Sequence, residues 1–195
     1  VRLVLASSSP RRVELLTAAG VPFTVESVAA DESALPAEAP DAYVQRVALA
    51  KADAAGPPPP GTVILTADTT VTIDGLLLGK PRDDEDAAAM LSRLSGRTHQ
   101  VMTGVVLSHA GGRVVDLAVT NVTFHPLQVA QISWYLATGE AHDKAGAYAI
   151  QGRASRFVAR LDGSYSNVVG LPVDVVCRHL EALAPSILQG PSRMR

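Results

Sequence analysis

Leu-Ala-Ser-Ser-Ser-Pro-Arg-Arg, residues 5–12, is the end of an apolar run that passes straight into the opening of a helix. Residues 2–6 before the serines read as a buried strand. Ser9 suits a helix N-cap, and Pro10 suits the first helical position, where its missing N–H has no intrahelical partner to lose. Val13, Leu15, Leu16 and Ala19 continue the helix until Gly20 stops it. A strand that turns into a helix is an α/β element, and its turn aims backbone N–H groups and the positive end of a helix dipole outward. Arg11 and Arg12 add planar, permanently charged forks suited to phosphate oxygens. An N-capped helix with solvated arginines accounts for the same residues equally well. The Gly-x-x-x-x-Gly-Lys spacing of a Walker loop is missing.

A second stretch narrows the reading. Ala-Asp-Thr-Thr, residues 67–70, places Asp68 at the carboxyl end of an apolar strand over 62–67, where α/β proteins set their ligand crevices. Such a carboxylate can bind Mg²⁺ or take a proton from water. A turn cap is the structural alternative, and the extended chain that follows Asp68 makes it the weaker one. Glu32, in a loop after Asp31, offers a second carboxylate for a metal, although alone it reads as a solvated loop charge. Lys80, between Gly79 and Pro81, sits on a stiff turn and can neutralise phosphate. Lys51 lies on a helix, and its spacing slightly favours snorkelling from the helix edge. Gln151, between Ile150 and Gly152, can read a base edge through its paired donor and acceptor. Cys177 and Trp134 fall in apolar helical patterns and read as core. The five histidines show no metal-ligand spacing.

Outward from these stretches, Phe23–Val28 reads as a strand. Asp41–Ala54 reads as a helix with Val44, Val47 and Ala48 inward, ended by Gly56 and four prolines. Thr70–Ile73, the Asp74-Gly75 turn and Leu76–Leu78 predict a hairpin. A helix follows over Asp84–Leu94, then strands over 99–108 and 113–124 joined at Gly111-Gly112. In the second of these Val115, Leu117 and Val119 alternate, and Val122 and Phe124 then take the opposite parity, which predicts a bulge. Helices are expected at Val129–Thr138 and Val173–Leu183, the latter reached through a loop over Gly163–Pro172. The expected architecture is α/β, a mixed sheet with flanking helices, as a single domain over 1–188 with a frayed tail at 189–195.

Composition excludes several classes. At 195 residues the chain suits one large domain, or one with two lobes. With 47% hydrophobic and 18% charged residues it is neither disordered nor fibrous. A net charge of -2 gives no global attraction to nucleic acid or an acidic membrane, so any anion site must come from local placement. Aromatic residues at 4% leave few platforms for stacking bases of a nucleic-acid strand. No apolar run approaches the ~20 residues that cross a bilayer. The single Cys177 cannot form an internal disulfide, which fits a reducing, cytoplasmic compartment and excludes a cysteine-rich zinc site.

Six motifs in order carry a family resemblance: Leu-Ala-Ser-Ser-Ser-Pro-Arg-Arg, Ala-Asp-Thr-Thr-Val, Gly-Lys-Pro, Leu-Ser-Gly-Arg-Thr-His-Gln-Val-Met-Thr-Gly, Asp-Lys-Ala-Gly-Ala-Tyr-Ala-Ile-Gln-Gly and Gly-Ser-Tyr-Ser-Asn-Val-Val-Gly-Leu-Pro. Together they resemble the Maf family of nucleoside triphosphate pyrophosphatases over about residues 3–184. The resemblance implies a Maf/inosine-triphosphatase-like fold with two lobes around a cleft. It implies hydrolysis of a nucleoside triphosphate to monophosphate and pyrophosphate with a divalent cation, Mg²⁺ or Mn²⁺. Asp68 matches the family's proton acceptor and, with Glu32, would hold the metal; Ser7, Ser9, Arg12, Lys51 and Lys80 match its other polar cleft residues. Arg11, Thr69 and Gln151 match the branch acting on dTTP and UTP, where the branch acting on 7-methyl-GTP tends to have Trp, Gln and Glu.

The expected partner is thus a small-molecule nucleotide, with no nucleic acid and no membrane; a homodimer is expected from resemblance alone. The alternative function is a nucleotide-binding regulator of septum formation with little turnover. The enzymatic reading requires an acid and several cations, far apart in the chain, to come together.

Overall fold

In the computed structural model, which describes residues 1–189, the opening strand and helix form where the apolar pattern places them. β1 (Arg2–Ala6) passes through the three serines into α1 (Pro10–Ala18). The chain continues through β2 (Thr24–Glu26), α2 (Pro40–Ala55), β3 (Thr62–Ile73), β4 (Leu76–Leu78), α3 (Asp84–Leu94), β5 (Thr98–His109) and β6 (Gly112–Phe124). It ends with α4 (Val129–Leu136), β7 (Val158–Asp162), α5 (Tyr165–Val169) and α6 (Val173–Leu183). The tail expected to fray lies, after Gln189, outside the described residues. Among the described residues no helix is long and apolar enough to cross a membrane.

The strands make a seven-stranded mixed sheet in the order β2-β1-β3-β5-β6-β7, with β4 paired to β3. β1 runs parallel to β2 and β3, whereas β4 and β7 are antiparallel to β3 and β6. Asp74 and Gly75 both have positive φ, 54° and 74°, the backbone a tight two-residue hairpin demands. The described chain divides into two compact units: residues 1–68, 103–118 and 170–189, and residues 69–102 with 119–169.

In the first unit the period of two sends alternate side chains to opposite sheet faces. Leu3, Leu5, Val63, Leu65, Val105 and Leu107 pack with Leu16 of α1 and Val176 and Leu180 of α6. On the other face Val4, Ala6 and Ile64 cluster, and Val106 packs with Ala48 and Ala52 of α2. Parallel strands are covered on both sides in this way. A Cβ at Gly104 would lie 2.5 Å from the Val44 carbonyl oxygen, so the absence of a side chain there lets α2 approach β5.

The second unit has an aromatic core. Phe124 stands edge-on to His99, Tyr148 and Phe157, with centroids 4.9 to 6.1 Å apart, and Tyr135 packs on Phe157. Buried Asn167 donates to the Val101 carbonyl at 3.1 Å and to Thr120 Oγ1 at 2.9 Å. These bonds hold α5 in the segment expected to be loop.

His99 Nε2 pairs with Tyr148 Oη at 2.8 Å, while Nδ1 makes no hydrogen bond, and burial pulls its pKa down to about 4. Between that value and the ordinary one the unfolded chain binds the proton and the folded chain does not. Stability is therefore intact above the unfolded pKa and lost as pH falls toward the folded one. The contribution should drop by about 2 kcal/mol between pH 7 and pH 5. Urea denaturation at the two pH values checks this. His99→Gln should flatten the dependence, and an unchanged slope would reject the assignment.

Three expectations need correction. β3 does not end at residue 67: it is one strand of twelve residues, and Asp68 is its seventh. Its two halves have different partners, β1 at 62–65 and β4 at 71–73, so pairing continues the strand past the carboxylate. In β6 the inward parity never switches. Thr120, Val122 and Phe124 are buried, Val115 and Val119 are exposed, and the irregularity against β7 falls at Thr123/Phe124. Valine suits any pleated strand position, so alternating valines do not by themselves mark a buried face. Trp134 is not core: it is 41% exposed, with the Arg156 guanidinium 4.6 Å from its ring centroid. Cys177 packs at the edge of the core, partly buried.

Candidate active site

α2 carries Tyr43, Val47 and Lys51 at i, i+4 and i+8, which places them along one face of the helix. Ile64, Thr66 and Asp68 likewise share one face of β3. Thr66 Oγ1 donates to the Ala48 carbonyl at 2.8 Å and sets the register between helix and strand. Three residues further along α2, Lys51 Nζ lies 2.7 Å from Asp68 Oδ1 and 2.7 Å from Glu32 Oε1. Lys51 and Asp68 are only 8% and 7% exposed, whereas the Glu32 side chain is about half exposed. Lys51 is thus not a snorkelling lysine, because its side chain is buried and its ammonium ends on a buried carboxylate. Nor is Glu32 merely a solvated charge.

Arg12 is drawn inward from the first turn of α1. Its Nε donates to the Gly170 carbonyl at 2.8 Å and its Nη1 to Ser7 Oγ at 3.1 Å. Ser7 Oγ also accepts the Ser9 N–H at 3.2 Å. Ser9 occupies the N-cap position in extended conformation, but its side chain makes no cap bond, in contrast to the expected role. Arg11, on the same turn, is half-buried. Burial pushes the Asp68 carboxyl above its ordinary value, and the attractions of Lys51 and then Arg12 offset only part of that rise. The result is a carboxylate with more affinity for a proton than an exposed one.

The structure therefore brings Ser7, Arg12, Glu32, Lys51 and Asp68 together within the first unit, with Ser9 and Arg11 on the same strand-to-helix turn. Thr69, Lys80 and Gln151 belong to the second unit. Thr69 follows Asp68 in β3 and is half-buried. Lys80 is exposed just after β4, on a turn fastened by the Gly146 N–H to the Gly79 carbonyl at 3.1 Å. Gln151 is exposed, four residues beyond a short 3-10 turn at Ala145–Ala147. Sequence reasoning missed Tyr43, Arg46, Glu38 and the Gly170 carbonyl. For Tyr43 the signal was present: its spacing from Lys51 puts both on one helical face.

Among the described residues no group of three His, Cys, Asp or Glu side chains could hold a metal by itself. Two carboxylates, Asp68 and Glu32, nevertheless converge on a single cationic atom, the Lys51 ammonium nitrogen. Mg²⁺ is commonly held by one or two carboxylates completed by substrate phosphates and water, so the donor set fits such an ion.

The sheet and its flanking helices define an α/β protein of the type seen in the Staphylococcus aureus Ham1 protein. That structure matches with a TM-score of 0.54 over 93% of this chain and 99% of the other, at 12% identity, a likeness of fold alone. The family described as Maf-like protein matches residues 2–183, and the chain belongs to it. Curated relatives named dTTP/UTP pyrophosphatase include one from Symbiobacterium thermophilum, 49% identical over 97% of both chains. Another, from Myxococcus xanthus, is 53% identical over 92% of this chain and 91% of its own.

Proposed function

We infer that the protein hydrolyses dTTP and UTP to the nucleoside monophosphate and pyrophosphate, clearing nucleotide pools. The observation that carries this reading is the buried Lys51 ammonium held 2.7 Å from both Asp68 and Glu32, beside the serine–arginine turn. A site of this charge pattern suits a triphosphate tail, and it sits in a chain about half identical to proteins named for that activity. Turnover explains a buried carboxylate of raised proton affinity; a nucleotide-binding regulator would need the cations but not that acid.

Asp68 accepts the proton of the water that attacks the α-phosphorus. A bond forms from the water oxygen to phosphorus, and the bond from phosphorus to the α–β bridging oxygen breaks, so pyrophosphate leaves. Arg12 and Lys51, with Ser7 and Ser9 on the turn, hold and neutralise the phosphates, and Lys80 adds a further positive charge. A divalent cation, Mg²⁺ or Mn²⁺, held by Asp68 and Glu32, supplies charge neutralisation on the phosphates when bound. Most of the acceleration comes from fixed charge and positioning. Residues 1–188 act as one functional domain, a reading supported by the family match running through both compact units.

Arg11, Thr69 and Gln151 set the substrate. The Gln151 amide offers one donor and one acceptor, which complement the imide edge of thymine or uracil. Gln151→Glu replaces the donor by a second acceptor. It should lower kcat/KM for dTTP roughly 10- to 100-fold while leaving hydrolysis of tripolyphosphate, which has no base, within about twofold. An equal loss on both substrates would remove Gln151 from base recognition. The function itself is tested by pyrophosphate release from dTTP, UTP, dCTP, dGTP and 7-methyl-GTP, with and without EDTA. Release from dTTP and UTP, abolished by EDTA, is expected; a melting-temperature shift with dTTP but no release would reject it.

A further inference from the structure

The thirteen residues between β2 and α2, 27–39, form neither helix nor strand, yet one of them supplies the Glu32 carboxylate that meets Lys51. A carboxylate on an irregular loop is placed well only if the backbone beneath it is held. Here two neighbouring carbonyls are held by side chains of α2. Tyr43 Oη donates to the Glu32 carbonyl at 2.9 Å, and Arg46 Nη2 donates to the Ser33 carbonyl at 2.9 Å. The Arg46 guanidinium also grips Glu38 through both oxygens, Nε to Oε1 at 2.5 Å and Nη2 to Oε2 at 2.8 Å. Glu38 Oε2 in turn accepts the Leu35 N–H at 3.0 Å, and Asp31 Oδ1 accepts the Ser33 N–H at 2.9 Å. The guanidinium carbon lies 5.7 Å from the Tyr43 ring centroid, so the two α2 side chains brace each other.

We propose that Tyr43, Arg46 and Glu38 are positioning residues that hold Glu32 on the Lys51–Asp68 pair, and that this clamp sets the site's affinity for a divalent cation. The inference rests on the proposed role of Glu32 as a metal ligand. Tyr43, Arg46 and Lys51 all project from α2, so one rigid helix indexes both the loop backbone and the ammonium that its carboxylate must meet. Most of these bonds are exposed at the surface, where hydrogen bonds and ion pairs add little to global stability. Their concentration under a single carboxylate is what a placement role demands.

The test uses Mn²⁺ alone, titrated into the full chain by calorimetry, beside the Mg²⁺ dependence of dTTP turnover. Tyr43→Phe and Arg46→Gln should each weaken Mn²⁺ binding roughly 10-fold, the range seen when a ligand's supporting partner is removed. kcat at saturating Mg²⁺ should stay within about twofold of wild type. Adding Tyr43→Phe to Glu32→Gln should produce no further loss, because both changes act through one carboxylate. In metal-free protein, amides 31–35 should exchange roughly 10-fold faster in both clamp variants. Unchanged exchange, or additive losses in the double variant, would overturn the clamp. Wild-type Mn²⁺ affinity in the clamp variants, with weakened affinity in Glu32→Gln, overturns the clamp and leaves the proposed function standing. No pyrophosphate release by the wild type overturns the proposed function, and the Mn²⁺ and exchange measurements then judge the clamp separately.

Discussion

Asp68→Asn should lower kcat for pyrophosphate release from dTTP by about 10³-fold, within the range a positioned general base contributes. Its melting temperature should equal or exceed that of the wild type. Asparagine keeps the volume and one carbonyl oxygen for the Lys51 ammonium, but it neither takes a proton nor carries charge. Lys51 also keeps its second partner, Glu32, at 2.7 Å, so the change does not strand a buried cation. Normal turnover by this variant would end the proton-acceptor role.

The pH dependence follows from the same carboxyl. Asp68 must be ionised to act as a base, so kcat/KM falls as pH falls through its pKa, which burial raises in the metal-free protein. That acid limb should be missing from the residual activity of Asp68→Asn. For stability the sign is opposite to that of a carboxylate stabilised by its partners. The folded state binds this proton more readily than the unfolded one. Asp68's contribution is therefore complete below the unfolded pKa and is lost as pH rises through the folded one. The stability gained by Asp68→Asn should accordingly be larger at pH 7 than at pH 4. A gain that shrank toward neutral pH would mean that Lys51 and Arg12 outweigh burial.

Local chemistry was legible and pairing was not. The first strand, the serines, Pro10 and the stop at Gly20 are specified by neighbouring residues, and β1 and α1 lie where they say. The span of β3 is set by β1 along one half and β4 along the other, contacts that no window around Asp68 contains. Lys51 shows the limit of periodicity. A lysine at the margin of an apolar stripe looks the same whether its ammonium reaches water or a carboxylate seventeen residues away. Glu32 and Glu38 lie in a loop without any period, so their partners on α2 had no pattern to announce them. The family resemblance singled out Glu32 and Lys51 but was silent on Tyr43 and Arg46, which touch the loop backbone and not its carboxylate.

Lys51→Met should be the most damaging single change to the fold at this site, destabilising by about 3 kcal/mol at pH 7, as for other broken buried ion pairs. In a domain of this size that is roughly 6–12 °C in melting temperature. Methionine fills the stem's volume, so the loss reports the charge and not a cavity. Asp68 is left buried without its nearest cation, and its proton affinity climbs further. The deficit should therefore narrow as pH falls and the stranded carboxyl takes up a proton. Turnover should fall at least about 100-fold, since a cation aimed at the phosphates is gone. Lys51→Met combined with Asp68→Asn removes both charges and should recover most of the stability, because replacing a whole buried pair is often neutral. The double variant should nevertheless stay inactive. Urea denaturation of the four proteins gives the coupling directly. If Lys51→Met alone matched the wild type, or the double variant were simply the sum of the two single changes, the pair would not be the buried unit from which this site is built.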